Sequence, residues 1–190
     1  MEKYPRLFWA FDLPPAIDRA VKDVQDNLRS RFPRLKWVKA GNIHITLHFL
    51  GDTDPRQIPE MIEALQPCLA LQPPIPVSLG PLGAFPGWSA PRVLWLALQG
   101  NLSPLYLLHE KTRAVLQNLG LNLENRPFSP HITIARVPEG TKEAGDLPNL
   151  KLYTKYENPA ASISALTLYA SELKPGGAVY TRRHTFALEL

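Results

Sequence analysis

A short pattern occurs twice in this chain of 190 residues: Asn42-Ile43-His44-Ile45-Thr46-Leu47, and later Pro130-His131-Ile132-Thr133-Ile134. Each copy reads His, apolar, Thr, apolar. With 5 His, 9 Thr and 45% hydrophobic residues, chance supplies about 0.05 copies per chain, and two copies about once in a thousand such chains. A repeat of this kind restricts the fold. It predicts two similar lobes facing each other, each giving one strand to a shared cleft.

The segments around the repeat fit that arrangement. Arg6–Leu13 reads as a strand closed by Pro14 and Pro15, which suit the start of a helix. Ile17, Val21, Val24 and Leu28 then form one apolar stripe at helical spacing. A strand is expected over Ile43–Leu50, ended by Gly51-Asp52, and a second helix after Asp54-Pro55 with Ile58, Ile62, Leu65 and Leu69 inward. Pro73–Pro91 should hold a strand and an irregular loop carrying Phe85 and Trp88. Val93–Leu98 reads as a strand, Leu102–Leu119 as a helix stopped by Gly120, and Phe128–Val137 as a strand. A loop-rich stretch with a strand near Leu150–Tyr156 comes next, and Ser162–Ser171 and Val179–Leu190 close the chain as strands. Strand-helix alternation that ends in paired strands predicts an α+β fold of two pseudo-symmetric lobes. Each lobe is then a mostly antiparallel sheet with helices outside, and residues 1–190 make one bilobal domain.

Composition narrows the setting. No apolar run approaches the roughly 18 residues needed to span a bilayer. Met1–Tyr4 carries charge but leads only into Leu7–Phe11, too short for a signal-peptide core, so the cytoplasm is the expected compartment. The single cysteine, Cys68, excludes an intramolecular disulfide and a thiolate metal cluster, and is expected to be a small buried hydrophobe. A net charge of +4 permits an anionic partner without requiring one. The densest basic cluster, Arg182-Arg183-His184, reads as solvated surface.

On a strand, successive side chains point to opposite faces. His44 therefore shares a face with Thr46, and His131 with Thr133, while the alternate apolar residues pack on helices. Two such strands would present two imidazoles and two hydroxyls to one point. That set suits a phosphodiester. Hydrolysis needs a base for the water proton and an acid for the leaving oxygen, and imidazole, with an ordinary pKa of about 6.5, can serve as either. Threonine hydroxyls can donate to the non-bridging oxygens. The residues alone do not say which histidine is acid and which is base.

His48 offers a rival reading. His44 and His48 have the spacing of a helical zinc pair, but on a strand they lie roughly 13 Å apart, and the glutamate of helical zinc proteases is absent because Ile45 holds that position. No metal or other cofactor is expected. On a regular strand His48 would share the face of His44 and could line the groove, with an exposed, silent role as the alternative. His109 and His184 are assigned no function.

At these residues the chain resembles the 2H phosphoesterases, most of all their RNA 2′,3′-cyclic phosphodiesterase branch, also called 2′-5′ RNA ligases. The resemblance covers nearly the whole chain. It runs through Arg6-Leu7-Phe8, Asp12-Leu13-Pro14, His44 to Gly51, Gly83 to Pro86, Pro91 to Trp95, Pro127 to Arg136 and Leu168 to Ser171. It implies a bilobal fold with the site between the lobes. It further implies that His44 donates a proton to the leaving 3′-oxygen, that His131 activates water, that Thr46 and Thr133 bind the cyclic phosphate, and that the product is a 2′-phosphomonoester. Arg136 completes the second motif and could pair with phosphate or stack on a base, although strand parity turns it away from the groove unless a bulge intervenes. Arg92 is a further candidate substrate-binding residue, with an exposed strand end as its alternative. Phe85 and Trp88 could stack on bases, or pack in the loop. The expected partner is RNA with a 2′,3′-cyclic phosphate end, or a small cyclic nucleotide, bound by a monomer without a membrane. The same site could instead run 2′-5′ RNA ligation, or the chain could be a non-catalytic RNA-end binder, which turnover of a small cyclic nucleotide would tell apart.

Overall fold

The computed structural model describes residues 4–189. Met1–Lys3, and Leu190 at the end of the last expected strand, lie outside the described residues. The elements are β1 (Arg6–Asp12), α1 (Pro15–Arg29), β2 (Lys36–Trp37), β3 (His44–Asp52), α2 (Ile58–Leu69), β4 (Ile75–Phe85), β5 (Val93–Gln99), α3 (Ser103–Asn118), β6 (His131–Arg136), β7 (Ala161–Ile163), β8 (Ala165–Lys174) and β9 (Gly177–Ala187). They build two antiparallel sheets, one ordered β3-β1-β8-β9 and the other β2-β6-β5-β4-β7. The α+β, two-sheet architecture expected from the repeat is the one observed.

Two matching units carry the repeat. β1, α1 and β3 form one, with β1 against β3; β5, α3 and β6 form the other, with β5 against β6. β1 is buried on both faces, with Leu7, Trp9 and Phe11 in the main core and Phe8 and Ala10 in a small second cluster, and Ile45 and Ile132 behind the two histidines are fully buried. α1 begins with Pro15 in its first turn, where its missing N–H costs nothing, and buries Ile17, Val21, Val24 and Leu28 as the stripe predicts. α3 ends before Gly120, whose φ is +80°. The Leu121 N–H reaches the Leu116 carbonyl at 3.1 Å and the Gly120 N–H the Gln117 carbonyl at 2.9 Å, so glycine closes the helix in a Schellman turn.

Three expectations change. The stretch predicted as a strand near Leu150–Tyr156 is instead a run of 3₁₀ turns over Lys142–Leu152 and then irregular chain. Leu147 and Leu150, both buried, lie three apart, the spacing of a 3₁₀ turn and not of a pleat. In α2 the buried residues are Met61, Leu65 and Leu69, while Ile58 and Ile62 are only partly covered. Cys68 is also only partly buried, packed at the margin of the core. Among the described residues no helix is long and apolar enough to cross a membrane.

The helices cross between the sheets. α1 leaves a strand of the first sheet, yet its buried Gln25 donates from Nε2 to the Ile134 carbonyl of β6 at 2.8 Å and to the Val38 carbonyl at 3.0 Å. α3 leaves a strand of the second sheet, and its Thr112 meets His48 of β3. Replacing Gln25 with Leu removes a buried donor, leaving the Ile134 carbonyl only the Val38 N–H and the part-buried Val38 carbonyl without this partner. The variant should lose about 1–3 kcal/mol of stability. Urea denaturation reads this, and an unchanged midpoint would show that the tie carries no weight.

Candidate active site

The two histidines line one cleft of about 190 Å³ together with Thr46, Thr133, Arg136, Phe8, Phe49, Asn42, Ser171 and Tyr180. The structure thus brings His44, Thr46, His131, Thr133 and Arg136 together. Each imidazole is aimed in the same way. His44 Nδ1 lies 2.8 Å from the Asn42 carbonyl, and His131 Nδ1 lies 2.7 Å from the Ser129 carbonyl, in both cases two residues upstream. A carbonyl can only accept, so Nδ1 carries the proton and donates, leaving Nε2 as the free base in the neutral ring. On the first strand, His44 Nε2 is also 3.0 Å from Thr46 Oγ1.

Both histidine-bearing strands hold one extra residue just beyond the threonine. In the β1–β3 ladder Ala10 faces Thr46 and Trp9 faces His48, so Leu47 has no partner of its own. In the β5–β6 ladder Trp95 faces Thr133 and Leu94 faces Ala135, leaving Ile134 unmatched. Each is a β-bulge, which reverses the alternation of the residues beyond it. The bulge in β6 returns Arg136 to the cleft face, against simple parity. The bulge in β3 does the same for Phe49 and sends His48 to the other side.

His48 therefore neither lines the groove with His44 nor lies exposed. It is 5% exposed, its Nε2 is 2.8 Å from Thr112 Oγ1, and its ring stacks on His109 with centroids 4.6 Å apart. His109 stacks in turn on Phe128 at 4.4 Å. With His44 and His48 on opposite faces, the zinc-pair reading fails in geometry. Among the described residues no group of three or more His, Cys, Asp or Glu side chains is placed to hold a metal ion.

Arg92 sits just before β5 with its side chain 3.5 Å from Glu139, outside the cleft lining. Phe85 is the last residue of β4 and not part of the loop; it stacks on Trp95 at 4.9 Å and meets His131 edge-on at 5.1 Å. Trp95 lies over Gly83, where a Cβ would come within 2.2 Å of the indole. Trp88 packs against the core from the loop. Around His44 the floor is Phe8, Tyr169 and Tyr180, at centroid distances of 4.9, 6.5 and 5.4 Å. Burial pushes the His44 ring below the ordinary imidazole value; the Asn42 carbonyl and Asp12 oppose this, and His131 adds to it.

Sequence reasoning missed Phe8, Asn42, Phe49, Ser171, Tyr169 and Tyr180. Alternation in β1 and β8 would have placed Phe8, Tyr169 and Ser171 on polar faces, but nothing local says that those faces meet the histidines. Arg182, read as solvated surface, lies over the Tyr169 ring at 5.5 Å and pairs with Asp12.

Residues 13–174 match the 2′-5′ RNA ligase superfamily. The chain belongs to it. The superfamily is a group of 2H phosphoesterases, and its match covers both histidine motifs. A Geobacillus stearothermophilus RNA 2′,3′-cyclic phosphodiesterase is 31% identical over 90% of this chain, which spans only 54% of that relative's length. A Thermotoga maritima protein of the same name is 30% identical over 92% of this chain and 91% of its own. E. coli LigT, solved with 3′-AMP, superposes with a TM-score of 0.74 at 27% identity, covering 97% of this chain and 98% of LigT.

The buried His48 has a measurable consequence. Burial, with His109 and Arg113 adding to it, holds its ring down at about 3, whereas an unfolded imidazole titrates near 6.5. Below about pH 6.5 the unfolded chain takes up a proton that the folded chain refuses. Stability is therefore full above that pH and falls as the pH drops towards 3, approaching about 1.4 kcal/mol per pH unit for this group. Burial lowers His109 as well, against Glu110, and it acts in the same direction. Unfolding measured at pH 7 and pH 5 should show a shallower loss in His48→Gln than in the wild type. Parallel losses would place the acid sensitivity elsewhere.

Proposed function

We propose that this chain hydrolyses the 2′,3′-cyclic phosphate at an RNA end to a 2′-phosphomonoester, by acid–base catalysis from two histidines and without a metal. The observation that supports it most is the mirrored aim of His44 and His131, each fixed by Nδ1 on a backbone carbonyl two residues upstream. The relatives named as RNA 2′,3′-cyclic phosphodiesterases add support of a different kind.

In this reaction His131 Nε2 takes a proton from water, and the oxygen attacks phosphorus. The P–O3′ bond breaks as His44 Nε2 gives its proton to the departing 3′-oxygen. The 2′-oxygen keeps the phosphate. The Thr46 and Thr133 hydroxyls donate to non-bridging oxygens, whose charge grows in the transition state. Arg136, turned into the cleft by its bulge, adds a guanidinium for the same oxygens or for the base. His44 must enter protonated. Burial works against that in the free enzyme, and an anionic phosphate beside the ring restores the balance.

The test is an RNA ending in a 2′,3′-cyclic phosphate, incubated in EDTA, with the product identified by mass and by its response to phosphatase and periodate. A 2′-phosphate product is expected. His44→Ala and His131→Ala should each lose at least about 100-fold in kcat, and Thr46→Ala or Thr133→Ala about tenfold. An untouched end in the wild type, or near-normal rates in either histidine variant, would overturn the reading.

A further inference from the structure

The two halves of the cleft are built alike but not charged alike. Asp12 is paired directly across the β1–β3 ladder from His44, and the residue paired with His131 across the β5–β6 ladder is Ala97. Directly opposed residues of an antiparallel pair share a face, with Cβ atoms about 5 Å apart. A carboxylate thus shares the face of His44, and a methyl group takes the same place beside His131. The carboxylate is also held. Thr167 Oγ1 donates to Oδ2 at 3.0 Å, the Tyr169 hydroxyl donates to Oδ1, and Arg182 Nη1 donates to Oδ2 at 2.7 Å. Phe8 and Tyr169, which flank the His44 ring, belong to the same small cluster on the floor of the cleft.

We propose that Asp12 is a positioning residue for the reaction, a fixed counter-charge that offsets part of the cost of protonating the buried His44 as the general acid and so breaks the near-twofold symmetry of the site. The inference rests on the proposed acid–base reaction and adds a physical reason for its direction. An acid must hold its proton at the working pH, and a base must be free of one. A carboxylate fixed beside a ring favours the charged imidazolium; a methyl group offers nothing of the kind. Every other charged or titratable neighbour of His44 is neutral or works the other way. Tyr169 is kept protonated as the donor to Asp12, its phenol pushed well up first by burial and then by the carboxylate. Tyr180 is pushed up by burial, and meets His44 edge-on. His131 across the cleft disfavours a second positive charge. Arg182 and Arg136 are cations. Asp12 is then the one group around His44 that supplies negative charge among the described residues lining this side.

The test is Asp12→Asn, close in shape and still an acceptor for the hydroxyls. The titration of each histidine is followed by NMR in protein labelled at histidine, wild type against variant. The His44 midpoint should move to lower pH while that of His131 stays in place. In turnover, the basic limb of the kcat–pH profile should move the same way. The variant should lose about three- to tenfold at pH 8 and stay within about twofold of wild type near pH 6. Should the asparagine not fold, Asp12→Ser repeats the measurement with a smaller uncharged side chain. An unmoved His44 midpoint, an equal shift in both histidines, or a rate loss that is the same at every pH would overturn the proposal. Should wild type leave the cyclic phosphate untouched, the proposed reaction fails, and the NMR titration still decides whether Asp12 tunes His44.

Discussion

A regular strand shows one face every second residue, so a histidine and a threonine two apart reach the cleft together and the next contact would come at the fourth residue after the histidine. In this molecule the next contact comes at the fifth. The unmatched Leu47 and Ile134 lengthen β3 and β6 by one residue each, and both ladders continue beyond them. Much of the site's composition depends on that step. It seats Phe49 on one wall and Arg136 on the other, and it gives the core two adjacent residues in each strand, Leu47 with His48 and Ile134 with Ala135. It also puts the Ile134 carbonyl where Gln25 and the Val38 N–H can both reach it.

The two walls then diverge. Around His44 the cleft floor is amphipathic, with Phe8 and two tyrosines beside a carboxylate and hydroxyls. Against the His131 ring the aromatic neighbours are Phe85 and Trp95, which pack on each other over a glycine. The backbone hydrogen bonds that aim the two rings are nearly equal in length, so orientation is shared between the halves. The dielectric and the charge that each ring feels are different. Duplicated geometry with unequal surroundings is a direct route to two chemical roles for one residue type.

Much of this could be read along the chain. The histidines and threonines were legible because the pleat is local: two residues of spacing determine a shared face. The stripe of α1 and the glycine stop of α3 were legible for the same reason. The bulges were not, since an extra residue is defined only against its partner strand. His48 shows the cost, placed with His44 by parity and found behind the strand in a stack with His109 and Phe128. Tyr169, Tyr180 and Arg182 were also hidden, because β8 and β9 arrive at His44 from the far end of the chain. The strand expected near Leu150–Tyr156 failed for a simpler reason: Leu147 and Leu150, three apart with Pro148 between them, fit the end of a 3₁₀ run, and a reading for alternation passes over that period.

The crossing of α1 and α3 gives the bilobal shape a second meaning. Each sheet is roofed in part by a helix that belongs, along the chain, to the other. Neither half of the polypeptide encloses its own core, because the buried residues of both sheets and of the three helices form one continuous cluster. Two lobes that share helices cannot swing apart like the leaves of a hinge without unpacking both. The width of the cleft is therefore a property of the chain's route, set when the core forms.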